Sequence, residues 1–206
     1  MKTDIAASLA FGALVLYALV AIVGRSLLHR RRTGSIGWRG VHGRPGSASW
    51  WGGVLLGLSC VGFVIAPLLA MSIAPRSLSP ALIAAGALLF AVGSAITVVA
   101  QAQMGDAWRI GVDAGERTSL RTSGLFAWCR NPVFSGMILA GLAMVAWVPL
   151  ALPAWIALVF GIELQVRVVE EPFLLRVVRE HGASYRDYAR RTGRFFPGVG
   201  GLPHPS

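Results

Sequence analysis

Charge is scarce in this chain. Of 206 residues 14% are charged and 55% hydrophobic, and only nine are acidic against 19 basic. A soluble globule of this size carries about 25% charged residues, so the deficit excludes that class and points to an integral membrane protein. Cysteine is nearly absent: Cys60 lies in an apolar run and Cys129 beside Arg130, which offers neither a disulfide framework nor a metal-ligand spacing. Cys60 reads as a small core residue. The four histidines, His29, His42, His181 and His204, are scattered without HxxxH or HxH spacing, so no metal site is expected. Lysine is represented by Lys2 alone, every other basic residue being arginine. A fixed-period repeat is also missing.

What remains is apolar sequence punctuated by arginine. A net charge of +10 and a pI near 11.3 would suit nucleic acid if the arginines formed a patch on a polar domain. They sit instead between and after long apolar runs, and no nucleic-acid motif accompanies them. Ile5 to Val23 is free of charge and about long enough to cross a hydrocarbon core. Its basic cluster follows rather than precedes it, without a small-residue cleavage site, so it reads as a retained first span rather than a signal peptide. Arg25 to Ser49 is expected to be a Gly- and Arg-rich loop, with Arg25, Arg30, Arg31, Arg32, Arg39 and Arg44. Trp50-Trp51 marks an interface, and Gly52 to Ala74 makes the second span, bent at Pro67. Pro75 to Pro80 is a tight turn holding Arg76, and Ala81 to Ala100 the third span. Gln101 to Arg130 is a second polar loop, with Arg109, Arg117, Arg121 and Arg130 against Asp106, Asp113 and Glu116.

From Pro132 to Val168 the chain is apolar again, too long for one span and cut at Trp147-Val148-Pro149 and Pro153. A helical hairpin of two spans is expected. Beyond Glu170 the sequence turns amphipathic and basic and ends in a Gly/Pro-rich tail expected to be poorly ordered. The fold class is therefore all-α: a polytopic helical membrane protein with about five transmembrane helices, the last two a hairpin, and a cytoplasmic C-terminal helical segment. Residues 1–100 hold the N-terminal spans and the basic loop 25–49, 101–198 a core, and 199–206 a tail. Both arginine-rich loops and the C-terminal segment fall on one side, so the positive-inside rule makes that side cytoplasmic and puts the N-terminus outside. The membrane is taken to be the plasma membrane of a bacterium.

The chemistry-bearing residues cluster at that cytoplasmic face. Glu163, Arg167, Glu170 and Glu171 are spaced i, i+4, i+7 and i+8, one stripe on an otherwise apolar helix. Glu163 can pair with Arg167, and Arg167 can also reach Glu171, which leaves a carboxylate to face a cationic ligand. At roughly 2.5 to 3.5 kcal/mol per charge near a bilayer centre, such a stripe needs a reason. The plain alternative is a salt-bridged helix end snorkelling into the headgroups. At Arg130-Asn131-Pro132 loop becomes helix, with Asn131 suited to the N-cap and Pro132 to the first helical position. Arg130 is left unexplained, a cation beside the positive end of a helix dipole unless an anion is shared there. Gly136 allows close approach of a backbone or a flat ligand, or serves helix packing together with Gly141. Tyr185 and Tyr188 lie on one helical face with Arg186, Arg190 and Arg191 turned to headgroups or solvent. That is the pattern of a lid, or of a membrane-surface anchor attracted by anionic lipid.

Taken in order, Met104 to Gly111, Arg117 to Leu120, Gly124, Arg130-Asn131-Pro132-x-Phe134-x-Gly136, Glu170-Glu171, Gly182-x-x-Tyr185-x-x-Tyr188 and Arg194-Phe-Phe-Pro197 resemble the isoprenylcysteine carboxyl methyltransferase family and its phospholipid methyltransferase relatives. The resemblance covers residues 100–198; the first half matches only as generic spans. It implies a methyltransferase without a Rossmann domain that uses S-adenosylmethionine, leaves S-adenosylhomocysteine, and holds the cofactor at the cytoplasmic membrane edge beneath the C-terminal segment. Carried over residue by residue, it points to Arg130, Asn131, Pro132, Phe134, Gly136, Glu170 and Glu171, closed by Tyr185, Tyr188 and Arg194. Asn131 stands where histidine is commoner and Phe134 where tyrosine is, and Glu171 to Gly182 is about one helical turn longer than usual.

The residue types suit that chemistry by themselves. A carboxylate can bind the amino group of the methionine moiety and an arginine its carboxylate, with Trp108, Phe126 or Trp128 near the sulfonium by cation–π attraction. Methyl transfer needs an in-line nucleophile and a dry site. Arg130, Arg167, Glu170 and Glu171 are the catalytic candidates. The acceptor is lipophilic and comes from the bilayer: a prenylcysteine-like carboxylate, an isoprenoid or fatty acid, a phospholipid amine or a lipophilic thiol. Two rivals stand beside this reading. One is a membrane reductase using NADPH on a sterol-like or isoprenoid substrate, since sterol reductases resemble this family in their C-terminal half; the other is a non-catalytic lipid-binding protein.

Overall fold

The structure, a computed structural model, describes residues 5–37, 43–73, 77–105, 108, 120–177 and 182–202. Arg39, His42, Pro75, Arg76, Asp106, Arg109, Asp113, Glu116, Arg117, His181 and His204 lie outside the described residues.

Helix α1 (Ile5–Tyr17) continues through a π-helical turn (Ala18–Gly24) into α2 (Arg25–Thr33), so the first helix runs unbroken for 29 residues. The loop expected from Arg25 therefore starts only at Gly34. Arg-Ser-Leu-Leu-His-Arg-Arg-Arg contains no helix breaker, and leucine and arginine are good helix formers. Gly34, at φ 78°, ends the helix in the left-handed conformation with its N–H on Arg30 O. Helix α3 (Ala48–Ser72) is capped by Ser47, whose hydroxyl accepts from Trp50 N–H, and α4 (Pro80–Met104) by Ser79, with Pro80 in the first turn. Helix α5 (Pro132–Trp147) ends where Pro149 removes a donor, and α6 (Leu152–Leu164) returns antiparallel to it. A second π-helical turn (Gln165–Glu170) leads into α7 (Glu171–Val177), and α8 (Gly182–Arg191) follows.

Among the described residues, four stretches are long and apolar enough to cross a membrane: Ile5–Thr33, Ala48–Ser72, Pro80–Met104 and Pro149–Leu175. The fifth apolar helix, α5, has 16 residues. At 1.5 Å per residue it is about 24 Å long, shorter than a full hydrocarbon core. The protein is an all-α polytopic membrane protein, as its sequence implies.

Small residues set the helix pairs. A Cβ on Gly93 of α4 would lie 2.5 Å from Ala140 N of α5, and one on Gly136 would lie 2.5 Å from Gly93 O. Gly161 of α6 faces Gly52 of α3 in the same way. Lipid offers no hydrophobic drive for helix association, so backbone approach of this kind is what joins the helices. Trp155 Nε1–H on Ile138 O closes the α5–α6 hairpin. Phe63, Met144, Trp147, Leu158, Ile162 and Val166 form the centre, while Leu16, Leu58, Leu88 and Phe160 face outward, toward lipid. Gln101 Nε2 donates to Ala21 O within the first π turn, and Tyr17 donates to Thr97 Oγ1, two polar contacts that tie the first helix to α4. These pairings gather the ends of α2, α4 and α7 and the starts of α3 and α5 at one end of the bundle.

Candidate active site at the helix ends

Arg130 precedes α5, where a helix dipole repels a cation. The structure supplies the anion that the sequence demanded. Arg130 Nη2 donates to Glu171 Oε1 at 2.7 Å, and Arg194 grips the same carboxylate with two parallel bonds, Nε to Oε1 at 2.8 Å and Nη2 to Oε2 at 3.0 Å. Arg130 further donates to three carbonyls: Ala189 at 2.7 Å and Thr192 at 2.5 Å, which end α8, and Gly200 at 2.9 Å. Its side chain is 2% exposed. A cation at the C-terminal end of α8 suits that helix's dipole.

The rest of the Arg-Asn-Pro segment holds the returning chain. Arg130 N–H donates to Gly193 O and Asn131 N–H to Arg194 O, and Cys129 bridges Gly193 in parallel register. The Asn131 amide donates to Arg194 O at 3.1 Å and makes no cap bond, which corrects the capping expected of it. Ser135 Oγ–H is directed to Phe195 O and lies 3.0 Å from Asn131 O. Pro132 is buried at the start of α5, and Phe134 packs against the main core. Gly136 meets Gly93 and Thr97 across α4, so of the two readings the structure realises helix packing. The tail expected to be poorly ordered is fastened as far as it is described. Arg194 N–H donates to Val199 O, Arg130 holds Gly200, and Leu202 N–H donates to Ala189 O. Gly198 and Gly200, at φ 74° and 77°, allow that turn.

Tyr185 and Tyr188 face inward together, 3% and 7% exposed, with Ala189 between α7 and the turn before α5. Tyr188 donates to Phe126 O at 2.6 Å. Burial pushes Tyr185 up to about 12, with the Glu171 charge adding to it, and burial raises Tyr188 also. Both phenols are therefore hydrogen-bond donors at neutral pH. Hydrogen bonding to Glu171 raises Arg194, against the opposing effect of burial. Burial likewise raises the Cys129 thiol.

Arg167 lies apart from this network. It pairs with Glu163, both side chains well exposed, while both oxygens of Glu171 are taken by Arg130 and Arg194. The expected Arg167–Glu171 contact is replaced because the π turn takes an extra residue per hydrogen-bonded loop and moves Glu171 off the α-helical stripe. Glu170, ending that turn, is half-buried. Trp108 is buried with its ring against Arg25 and His29, Phe126 is buried, and Trp128 is 68% exposed. Sequence reasoning passed over Ser135, Thr192, Gly193 and Arg25. Ser135 and Gly193 sit inside or beside the motifs quoted; Arg25 and His29 share a helical face, visible only once α2 is known to be helix.

Residues 81–180 match the family model for phospholipid methyltransferases. This is the group of membrane methyltransferases that the motifs resemble. The match includes Arg130 and Glu171 and stops before Tyr185 and Arg194. No curated protein matches the chain. The match supports a membrane methyltransferase acting on lipid-like substrates.

Proposed function

We propose that the protein transfers a methyl group from S-adenosylmethionine to a lipophilic acceptor drawn from the bilayer, at the cytoplasmic membrane edge. The observation that carries this is the convergence of Arg130 and Glu171, both inside the phospholipid methyltransferase match, with Arg194 from the returning chain. Two guanidiniums on one carboxylate leave a net positive charge under α8, suited to a small zwitterion with a carboxylate. Arg194 and Glu171 keep 13% and 11% of their side chains exposed, whereas Arg130 is sealed. On that basis Arg194 takes the methionyl carboxylate, the remaining lone pair of Glu171 Oε2 takes the ammonium, and Arg130 orients them.

When bound, the cofactor supplies an electrophilic methyl on a sulfonium. The chain's part is to position it and exclude water, the work of α8 and the clamp behind it. An ionised carboxylate as acceptor needs no base, whereas an amine or alcohol must lose a proton. Glu170 is then the candidate base, the raised pKa values of Tyr185 and Tyr188 making them poor ones.

Thermal unfolding of the purified protein with S-adenosylhomocysteine or NADPH tests the proposal. A ligand at 100 times its dissociation constant adds about 2.7 kcal/mol. Stabilisation by S-adenosylhomocysteine alone is expected; stabilisation by NADPH alone would establish the reductase, and by neither the non-catalytic lipid binder. The arginine asymmetry supports a reading in which the site-bearing end is cytoplasmic and the N-terminus outside, in what we take to be the plasma membrane of a bacterium. Cysteines placed at Ser35 or Ser184 should then resist a membrane-impermeant reagent applied to intact cells.

A further inference from the structure

The first helix lies outside the matched residues 81–180, yet it contributes two buried polar side chains to this end of the bundle. Arg25 is 7% exposed and His29 5%, while Arg30, Arg31 and Arg32 next to them are exposed. The exposed arginines suffice for topology, so the buried one needs another reason. Its guanidinium stands 5.0 Å from the centroid of the Trp108 ring, and Nη2 donates to Gly105 O, at the point where α4 ends and the polar loop begins. His29 meets the same ring edge-on at 5.6 Å. Gly37, at φ 74°, lets the chain pass close to the ring, where a Cβ would lie 2.8 Å from it. Burying an arginine is costly, and in this geometry the carbonyl and the ring face help to offset that cost.

From Gly105 the contacts lead to the proposed site. Gln103 Oε1 accepts from Leu125 N–H at 2.9 Å, and the turn Gly124–Ala127 carries the Phe126 carbonyl that receives Tyr188. We propose that Arg25 is a positioning residue for the cofactor site: by holding Trp108 and the Gly105 carbonyl it fixes the end of α4 against which the turn before α5, and through it Tyr188, is set. The face of Trp108 under Arg25 is thereby committed to an internal cation, so Trp108 supports the site rather than lining it. The inference rests on the methyltransferase reading for its consequence and on the described contacts for its mechanism.

The full chain in lipid nanodiscs tests both parts. Hydrogen exchange of a peptide covering residues 100–108, measured without ligand, should be several-fold faster in Arg25→Gln than in wild type. S-adenosylhomocysteine should bind about tenfold more weakly to Arg25→Gln and to Trp108→Phe, and no more weakly to the double variant than to the weaker single one. Arg25→Lys should recover part of the loss, one ammonium being able to serve either the ring or the carbonyl. Unchanged exchange in Arg25→Gln would overturn the latch. Faster exchange with unchanged affinity, or losses that multiply in the double variant, would reduce Arg25 to a structural residue. If wild type binds no S-adenosylhomocysteine, the methyltransferase reading fails, while the exchange result still decides the latch.

Discussion

Glu163 and Glu171 stand on the same long helix and meet opposite fates. Glu163 finds its partner within its own helix, in Arg167 one turn on, and the pair is 34% and 56% exposed. Glu171 is held by two arginines that arrive from other parts of the chain, one before α5 and one beyond α8, and all three side chains are nearly sealed. The π turn between the two carboxylates separates these environments. A pair made by local spacing stays at the surface and is worth little; a carboxylate made to serve distant segments becomes the joint by which the C-terminal chain is docked.

The comparison can be broken at its strong end first. Glu171→Gln leaves Arg130 and Arg194 buried against a neutral amide, and loss of about 3 to 5 kcal/mol in the docking of residues 185–202 is expected, read as accelerated tryptic cleavage after Arg190 and Arg191. Tyr188→Phe removes one bond, to Phe126 O, from the same joint and should cost about 1 kcal/mol by the same assay. Alkaline titration probes the joint without mutation. The pKa of Tyr185 is raised in the folded protein to about 12 from an ordinary value of about 10. Its contribution is present in full below the unfolded value and is lost as pH rises from there through the folded one. The cleavage rate should therefore be flat from neutral pH to about 10 and climb beyond it, with the climb starting no earlier in Tyr185→Phe. At the weak end, Glu163→Gln and Arg167→Gln should each change stability by less than about 1 kcal/mol and add without coupling beyond a few tenths.

How much of this was legible in the sequence divides along the same line. Apolar runs gave the spans, and Pro132 marked a helix start where the structure has it, whereas the caps at Ser47 and Ser79 fall in what reads in the sequence as part of a loop and of a turn. Arg130 announced that an anion must be near, because a dipole argument needs only local sequence. The resemblance already drew Arg130, Glu171 and Arg194 to one pocket; that both arginines bind the one carboxylate depends on a chain reversal for which no periodicity gives a sign. The stripe of Glu163, Arg167 and Glu171 assumed α-helical spacing throughout; a π turn leaves no mark that propensities record. The extension of the first helix through Arg25–Thr33 was missed because arginine and polarity were read as loop, although nothing there stops a helix. Gly136 was open between ligand and packing, and its partner Gly93 lies on another helix altogether.

The central claim is that the buried joint at Glu171, and not the exposed pair at Glu163, organises the cofactor site. It is tested most directly by titrating S-adenosylhomocysteine into wild type, Glu163→Gln and Glu171→Gln in nanodiscs, below the unfolding temperature of each. Wild type and Glu163→Gln should bind alike, and Glu171→Gln should lose tenfold or more, at least ~1.4 kcal/mol. Equal affinity in all three, or a loss confined to Glu163→Gln, would contradict the account.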